Sequence, residues 1–407
     1  MKVLRRWRWL AWLAGCTALT AGVSGLAAGP AQARVTGIIF QSRVVASWGD
    51  NAYGQLGDGT TVSRFRYGDI GVANDVVQVA AGYDHGLAVR SDGSVWAWGG
   101  NSLGQLGDGT TTARITPVLV AGLTGITQVA AGVRYSLALR SDGTVWAWGD
   151  NVSGQLGRGT FSDHEATPAR VTVLNGVTKI SAGGGFGLAL RSDGIVFAWG
   201  ANGGGQLGTS TPDRSSKPVK VAGLSQVTGI AAGWDSSVAT EASGISAVTS
   251  VWTWGANDYG QLGDGTLANH ATPERVAGIP ASIAGVSVGG KFAVVLGADG
   301  SVWGWGDNRA GELAAANEGD KVTRPVNGIR SGSGITRLSA GGGHVLALRS
   351  DGTVLAWGYN GSGQLGRGTV ATVGGPAPVT GLASVTQVSA GFLSSLAVHT
   401  VPFLVGS

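Results

Sequence analysis

The chain is expected to be all-β: a ring of seven four-stranded antiparallel blades, a β-propeller, closed by one blade built from both ends of the chain. Three observations predict it. Glycine supplies 73 of 407 residues, more than twice the usual share, which weakens helix interiors and favours turns. Hydrophobic residues still make up 43%, enough for a large core and too many for a disordered chain. Trp-Gly recurs at Trp48, Trp98, Trp148, Trp199, Trp254, Trp305 and Trp357, at intervals close to 50 residues, a period that fits propeller blades.

The elements follow in order. Residues 1 to 33 carry Lys2, Arg5, Arg6 and Arg8, then an apolar stretch rich in Ala, Leu, Gly and Trp, then Ala31-Gln32-Ala33. This is the layout of a secretory signal peptide cleaved after Ala33, and it leaves residues 34 to 407 as a single propeller domain with no membrane span. A second reading takes Leu13-Ala14-Gly15-Cys16 as a lipobox and Cys16 as a lipid anchor. Cleavage after Ala33 removes the only cysteine, so the mature chain has neither disulfide nor thiol chemistry.

Each later unit repeats one plan. Ile126 to Gly132 is an inner strand ending in Ala-Gly, Ser136 to Leu139 lies in a second strand, and Thr144 to Gly149 carries a third that ends in Trp-Gly. Asp142-Gly143 separates two alternating runs, a strong hairpin signal. Trp146 and Trp148 stand two apart and so share one face of their strand, facing a neighbouring blade. The first Trp-Gly precedes the first Ala-Gly turn, and the last such turn, at Gly391, follows the last Trp-Gly. Val44 to Trp48 and the segment after it are therefore expected to supply outer strands, and Val385 to Val398 inner strands, of one shared blade, which removes exposed sheet edges.

The loop after Trp-Gly contains Gly-Gln-Leu-Gly at Gly54 to Gly57, Gly104 to Gly107, Gly154 to Gly157, Gly205 to Gly208, Gly260 to Gly263 and Gly363 to Gly366, while one unit reads Gly311-Glu312-Leu313-Ala314. With the Trp-Gly and Asp-Gly pieces, from about Val44 to Val398, the chain resembles the regulator-of-chromosome-condensation repeat family and is identified as an exported bacterial member. The resemblance implies the seven-bladed ring. It also brings three family activities: guanine-nucleotide exchange on a small GTPase, plant ultraviolet-B sensing, and inhibition of secreted β-lactamases. The export signal speaks against exchange inside cells. Of the positions that would match the light sensor's tryptophan, only Trp234 does, and Asp235 follows it. The inhibitors present aromatic residues from the same turns but have shorter units.

In an antiparallel blade the first turn and the connection after the third strand emerge on one face. The units differ most there, which marks positions released from shared packing. The expected partner-binding residues are Tyr83, Asp84, Arg134, Trp234, Asp235, Lys291 and Phe392, with Tyr53 and Tyr259 as weaker candidates. Tyr135, Phe186 and Phe292 lie a few residues further along, at positions that His85 and His344 share, and the histidines read as packing residues.

Chemistry finds little support in the sequence. Beyond the four N-terminal cations, basic and acidic residues are equal in number, so the footprint that phosphate binding needs is absent and no nucleic-acid partner is expected. His164 and His270 have no repeated spacing to a second metal ligand. Asp58-Gly59, Asp108-Gly109 and Asp264-Gly265 lack the alternating carboxylates of calcium loops and read as turns. Five glutamates, at 165, 241, 274, 312 and 318, offer no paired-carboxylate motif. No cofactor and no enzymatic activity are expected. The reading is a monomeric exported scaffold that binds an extracellular or cell-envelope protein, with inhibition of a secreted enzyme or binding of a carbohydrate as alternatives.

Overall fold

The computed structural model describes residues 38 to 405, apart from 72–73, 211, 243–248, 316–318 and 372. The expected signal segment lies outside the described residues. So does most of the longer connection at Glu241 to Ser250.

Those residues form 28 strands in seven antiparallel sheets of four. The innermost strands, in order around the ring, are Val76–Ala81, Ile126–Ala131, Val177–Ala182, Val227–Ala232, Ile283–Val288, Ile335–Ala340 and Val385–Ala390, numbered here as blades 1 to 7. Blade 7 is the composite: Val385–Ala390 and Ser394–Val405 inside, Ile38–Gly49 and Arg64–Ile70 outside. Ile38–Gly49 pairs with Ser394–Val405 along its whole length, from Ile38 opposite Val405 to Gly49 opposite Ser394. The joining strands are thus longer than the Val44 to Trp48 core expected from the repeat.

The core lies between blades. Each of the seven Trp-Gly tryptophans is fully buried, and each indole Nε1 donates to a backbone carbonyl of the preceding blade's Gly-Gln-Leu-Gly loop or its Gly-Glu-Leu-Ala counterpart. Trp98 reaches Gln55 O at 2.9 Å and Trp148 reaches Gln105 O at 2.8 Å. Across the closing seam Trp48 reaches Gln364 O at 2.8 Å. Trp148 packs on Leu87, Val89 and Ala97 of blade 1, and Trp146 lies half-buried at the same seam, as their shared strand face requires.

The loop itself is held by the asparagine after Trp-Gly. Asn51 Oδ1 accepts Leu56 N–H at 2.9 Å while its Nδ2 donates to Thr60 O at 3.1 Å. Asp58 Oδ1 accepts both the N–H and the hydroxyl of Thr60, so these Asp-Gly pairs are Asx turns. The divergent blade 5 loop keeps the same form: Trp357 Nε1 donates to Glu312 O at 2.8 Å, and Ala314 takes φ 55° where Gly57 has φ 68°.

Inner strands are clamped across seams by side chains that stand in for backbone. Gln78 accepts Val129 N–H through Oε1 at 2.7 Å and donates Nε2 to Val129 O at 2.9 Å. Gln128 does the same to Ile180, and Gln387 to Val79. Ser389 Oγ accepts Ala81 N–H at 3.0 Å. At the other end of these strands, backbone bonds such as Tyr83 N–H to Gly132 O and Phe392 N–H to Gly82 O tie blade 1 to its neighbours.

Candidate functional site

The turn Gly82-Tyr83-Asp84 joins the first two strands of blade 1, and Gly100 N–H, leaving the third strand, donates to Asp84 O at 2.7 Å. The first turns and the Gly-Gln-Leu-Gly loops therefore share a face, as expected. The turns converge on the mouth of the central channel, a cavity of about 130 Å³ walled by Ala-Gly ends of the inner strands.

Three of the expected residues meet at that mouth. Tyr83 stacks on Phe392 with centroids 4.4 Å apart and 25° between planes. Trp234 stands edge-on to Phe392 at 5.1 Å and to Tyr83 at 6.4 Å. They come from blades 1, 4 and 7, and each remains half-exposed. Tyr135, Phe186 and Phe292 are fully buried, so they are core residues and offer no contact surface.

Charged groups flank the cluster on two sides. Asp84 is buried and turned inward, its Oδ1 accepting from Gln105 Nε2 at 3.1 Å, with Arg134 Nε 4.0 Å away. Burial works to raise the Asp84 carboxyl, but His85, Gln105 and Arg134 hold it below its usual value. On the other side burial raises the Asp235 carboxyl, opposed by Lys291 and reinforced by Asp258. Lys291 Nζ sits 4.1 Å over the Tyr259 ring, which Arg309 and Lys321 also approach within 5 Å. Tyr259 is thus a cation platform, whereas Tyr53 projects 51% exposed.

One arrangement on this face has the parts of a hydrolase triad. Asp84 Oδ1 lies 3.6 Å from His85 Nδ1, and His85 Nε2 lies 3.0 Å from Ser136 Oγ. Yet Ser136 is fully buried and gives its proton to Gln105 O at 2.8 Å, so the imidazole must donate to the serine, the reverse of what a nucleophile needs. The same pair recurs without an acid as His344 with Ser395, whose hydroxyl donates to Gln364 O. Burial alone pushes the His344 imidazole down to about 3. Both are seam contacts, in line with the packing role expected of the two histidines.

Asp264, His270 and Glu274 also come together. His270 Nε2 is 2.5 Å from Asp264 Oδ2, and Nδ1 is 2.9 Å from Glu274 Oε1. His270 replaces the arginine that pairs with the aligned aspartate in blades 7 and 1, Arg64 with Asp58 and Arg114 with Asp108. With each ring nitrogen facing a carboxylate, His270 ties the Asp264 turn to Glu274 on its own strand.

Fold and face together define a seven-bladed propeller whose variable loops surround an aromatic-plugged channel mouth. A family model described as the RCC1-like domain matches residues 122–402, and the Regulator of chromosome condensation (RCC1) repeat matches residues 45–89 and 92–139. The chain belongs to this family. Among curated proteins it is 35% identical over 236 residues to the human probable E3 ubiquitin-protein ligase HERC6, covering 55% of this chain and 22% of that one. It is 31% identical to the ultraviolet-B receptor UVR8 of Arabidopsis thaliana, covering 51% and 47%. The chain thus spans about half, or less, of the length of these relatives. Human WBSCR16 superposes with a TM-score of 0.78 at 24% identity, covering 88% of this chain and 98% of that one. Prp20p of Saccharomyces cerevisiae gives 0.77 at 23%, covering 90% and 92%. At such identities these two show the fold.

Proposed function

We infer that the protein is a non-enzymatic scaffold that binds a protein partner through the loop-rich face, centred on Tyr83, Trp234 and Phe392. The observation that carries this reading is the convergence of three partly exposed aromatic side chains, from blades far apart in sequence, on one cluster at the channel mouth. Exposed aromatic and arginine groups around a concave centre are what protein interfaces use as anchors. The stacking of Tyr83 on Phe392 occupies ring faces that a sugar would need, which favours a protein over a glycan. Yeast Prp20, of the same fold, has been crystallised with Kap60 bound, a precedent for the architecture alone. The composition of residues 1 to 33 supports export, so the partner is sought among extracellular and cell-envelope proteins.

The test is capture from culture fluid and envelope extract by the chain and by a Tyr83→Ala, Trp234→Ala, Phe392→Ala variant with an unchanged circular dichroism spectrum. A partner retained at least tenfold better by the parent, and lost when the extract is treated with protease, is the expected result. Equal capture by both would overturn the assignment of this face. Capture that survives protease would replace the protein partner with a glycan.

A further inference from the structure

Toward the opposite end of the channel the inner-strand clamps are unequal. Around the ring, the third residue of each inner strand reads Gln78, Gln128, Lys179, Gly229, Gly285, Arg337 and Gln387. Gly285 stands four residues, about 13 Å of strand, from the Gly289 turn. Where glutamine is present, its amide takes both the N–H and the C=O of the next blade's strand, as Gln387 does with Val79 at 2.6 and 3.0 Å. At Gly229 and Gly285 there is no side chain to do so. The aligned residues on the far side of those two seams are Val286 and Leu338, and each lines a cavity. One of about 340 Å³ runs from Lys179 past Gly229 to Val286, and one of about 270 Å³ runs from Gly285 to Leu338 and Arg337. They share the wall Ala284-Gly285-Val286.

The two glycine seams are bracketed by the two cations of the series. Lys179 Nζ donates to Thr228 O, and among the described residues neither Lys179 nor Arg337 lies within ion-pair distance of a carboxylate. A Cβ added at Gly285 would meet nothing within 4 Å, whereas one at Gly229 would meet Thr240 Oγ1 at 2.6 Å. The Gly285 slot is therefore open space, shaped for the group that glutamine supplies elsewhere and edged by positive charge. We propose that this slot binds a carboxylate, whose oxygen accepts a strand N–H as glutamine Oε1 does in the sister seams, with Arg337, which lines the same cavity, balancing its charge. The site is independent of the aromatic face.

Calorimetric titration of the full chain with N-acetyl-L-glutamate at low ionic strength tests it. Saturable binding is expected, abolished by Gly285→Gln, which fills the slot and restores the clamp, and weakened at least tenfold by Arg337→Ala. Gly285→Gln is also expected to melt no lower than the parent. An acidic peptide with a free C-terminus, compared with its amidated form, identifies the source: tighter binding lost on amidation points to a chain terminus, and equal binding to a side-chain or free carboxylate. Absence of saturable binding to the parent, or binding that persists in Gly285→Gln, would overturn the proposal. Should Gly285→Gln fail to fold, unchanged binding by the Arg337→Ala variant does so instead.

Discussion

Removing the residues after Ser384 is expected to abolish the cooperative unfolding transition and leave a chain that aggregates. The deletion takes both inner strands of blade 7, and Ile38–Gly49 loses the partner it pairs with from end to end. Val79 loses the Gln387 clamp, Ala81 the Ser389 hydroxyl and Gly82 the Phe392 N–H. Leu396 and Val398 leave the cluster that holds Val45, Val76, Val79 and Trp98, and Val385 and Val388 leave the one that holds Trp48. Four buried aliphatic side chains contribute roughly 6 to 12 kcal/mol, against a net stability on the order of 5 to 15 kcal/mol for a whole domain. The inner edges of blades 6 and 1 would also be bared. Thermal melting followed by circular dichroism and light scattering checks this. A truncated chain that melts cooperatively within a few degrees of the parent would show that the ring does not depend on its composite blade.

Glu312→Gln is expected to stabilise the protein above neutral pH and to leave it nearly unchanged at pH 4. Glu312 is buried where six sister loops have glutamine. Its Oε2 accepts Ala310 N–H at 2.9 Å. Burial pushes its carboxyl up to about 7, with the charge of Asp307 adding to the effect. Below about 4.5 the group is protonated in both folded and unfolded chains and costs nothing. As pH rises from there to about 7, the unfolded chain ionises first, so stability falls, and above 7 the loss is complete at about 3 kcal/mol. A glutamine there is neutral at every pH and can donate to Asp307, as Gln55 Nε2 donates to the aligned Asp50 at 2.7 Å. Urea unfolding of both proteins at pH 4 and pH 8 separates the cases. A gain of the same size at both pH values would assign the effect to packing rather than ionisation.

How much of this was legible follows from what a repeat can encode. Asp142-Gly143 and the alternation around it announce a hairpin because its turn and strands are neighbours in sequence. The order of the first Trp-Gly and the last Ala-Gly turn announced the shared blade. Variation among the turns pointed to the face on which Tyr83, Trp234 and Phe392 meet. That Asp84 turns inward, that Lys291 rides on Tyr259, and that Tyr135, Phe186 and Phe292 are core had no local sign. His85 beside Asp84 could be read from sequence, but not that Ser136 faces the preceding blade's histidine with its proton already given away. The asparagine that closes each loop recurs at every unit, from Asn51 to Asn360, and the repeat itself could have revealed it.

The sequence by itself determined the strand plan, the number of blades and the closure, since these rest on turn chemistry, on a period of about 50 residues and on the order of the repeat's pieces along the chain. Only the tertiary structure decided what lies between blades. Whether Trp98 finds Gln55 O, whether rings from blades 1, 4 and 7 touch, and whether Gly285 leaves a slot or a packed seam are set by closing the ring. Closure brings residues as far apart as Val79 and Gln387 into hydrogen-bonding distance, and no local pattern carries that information.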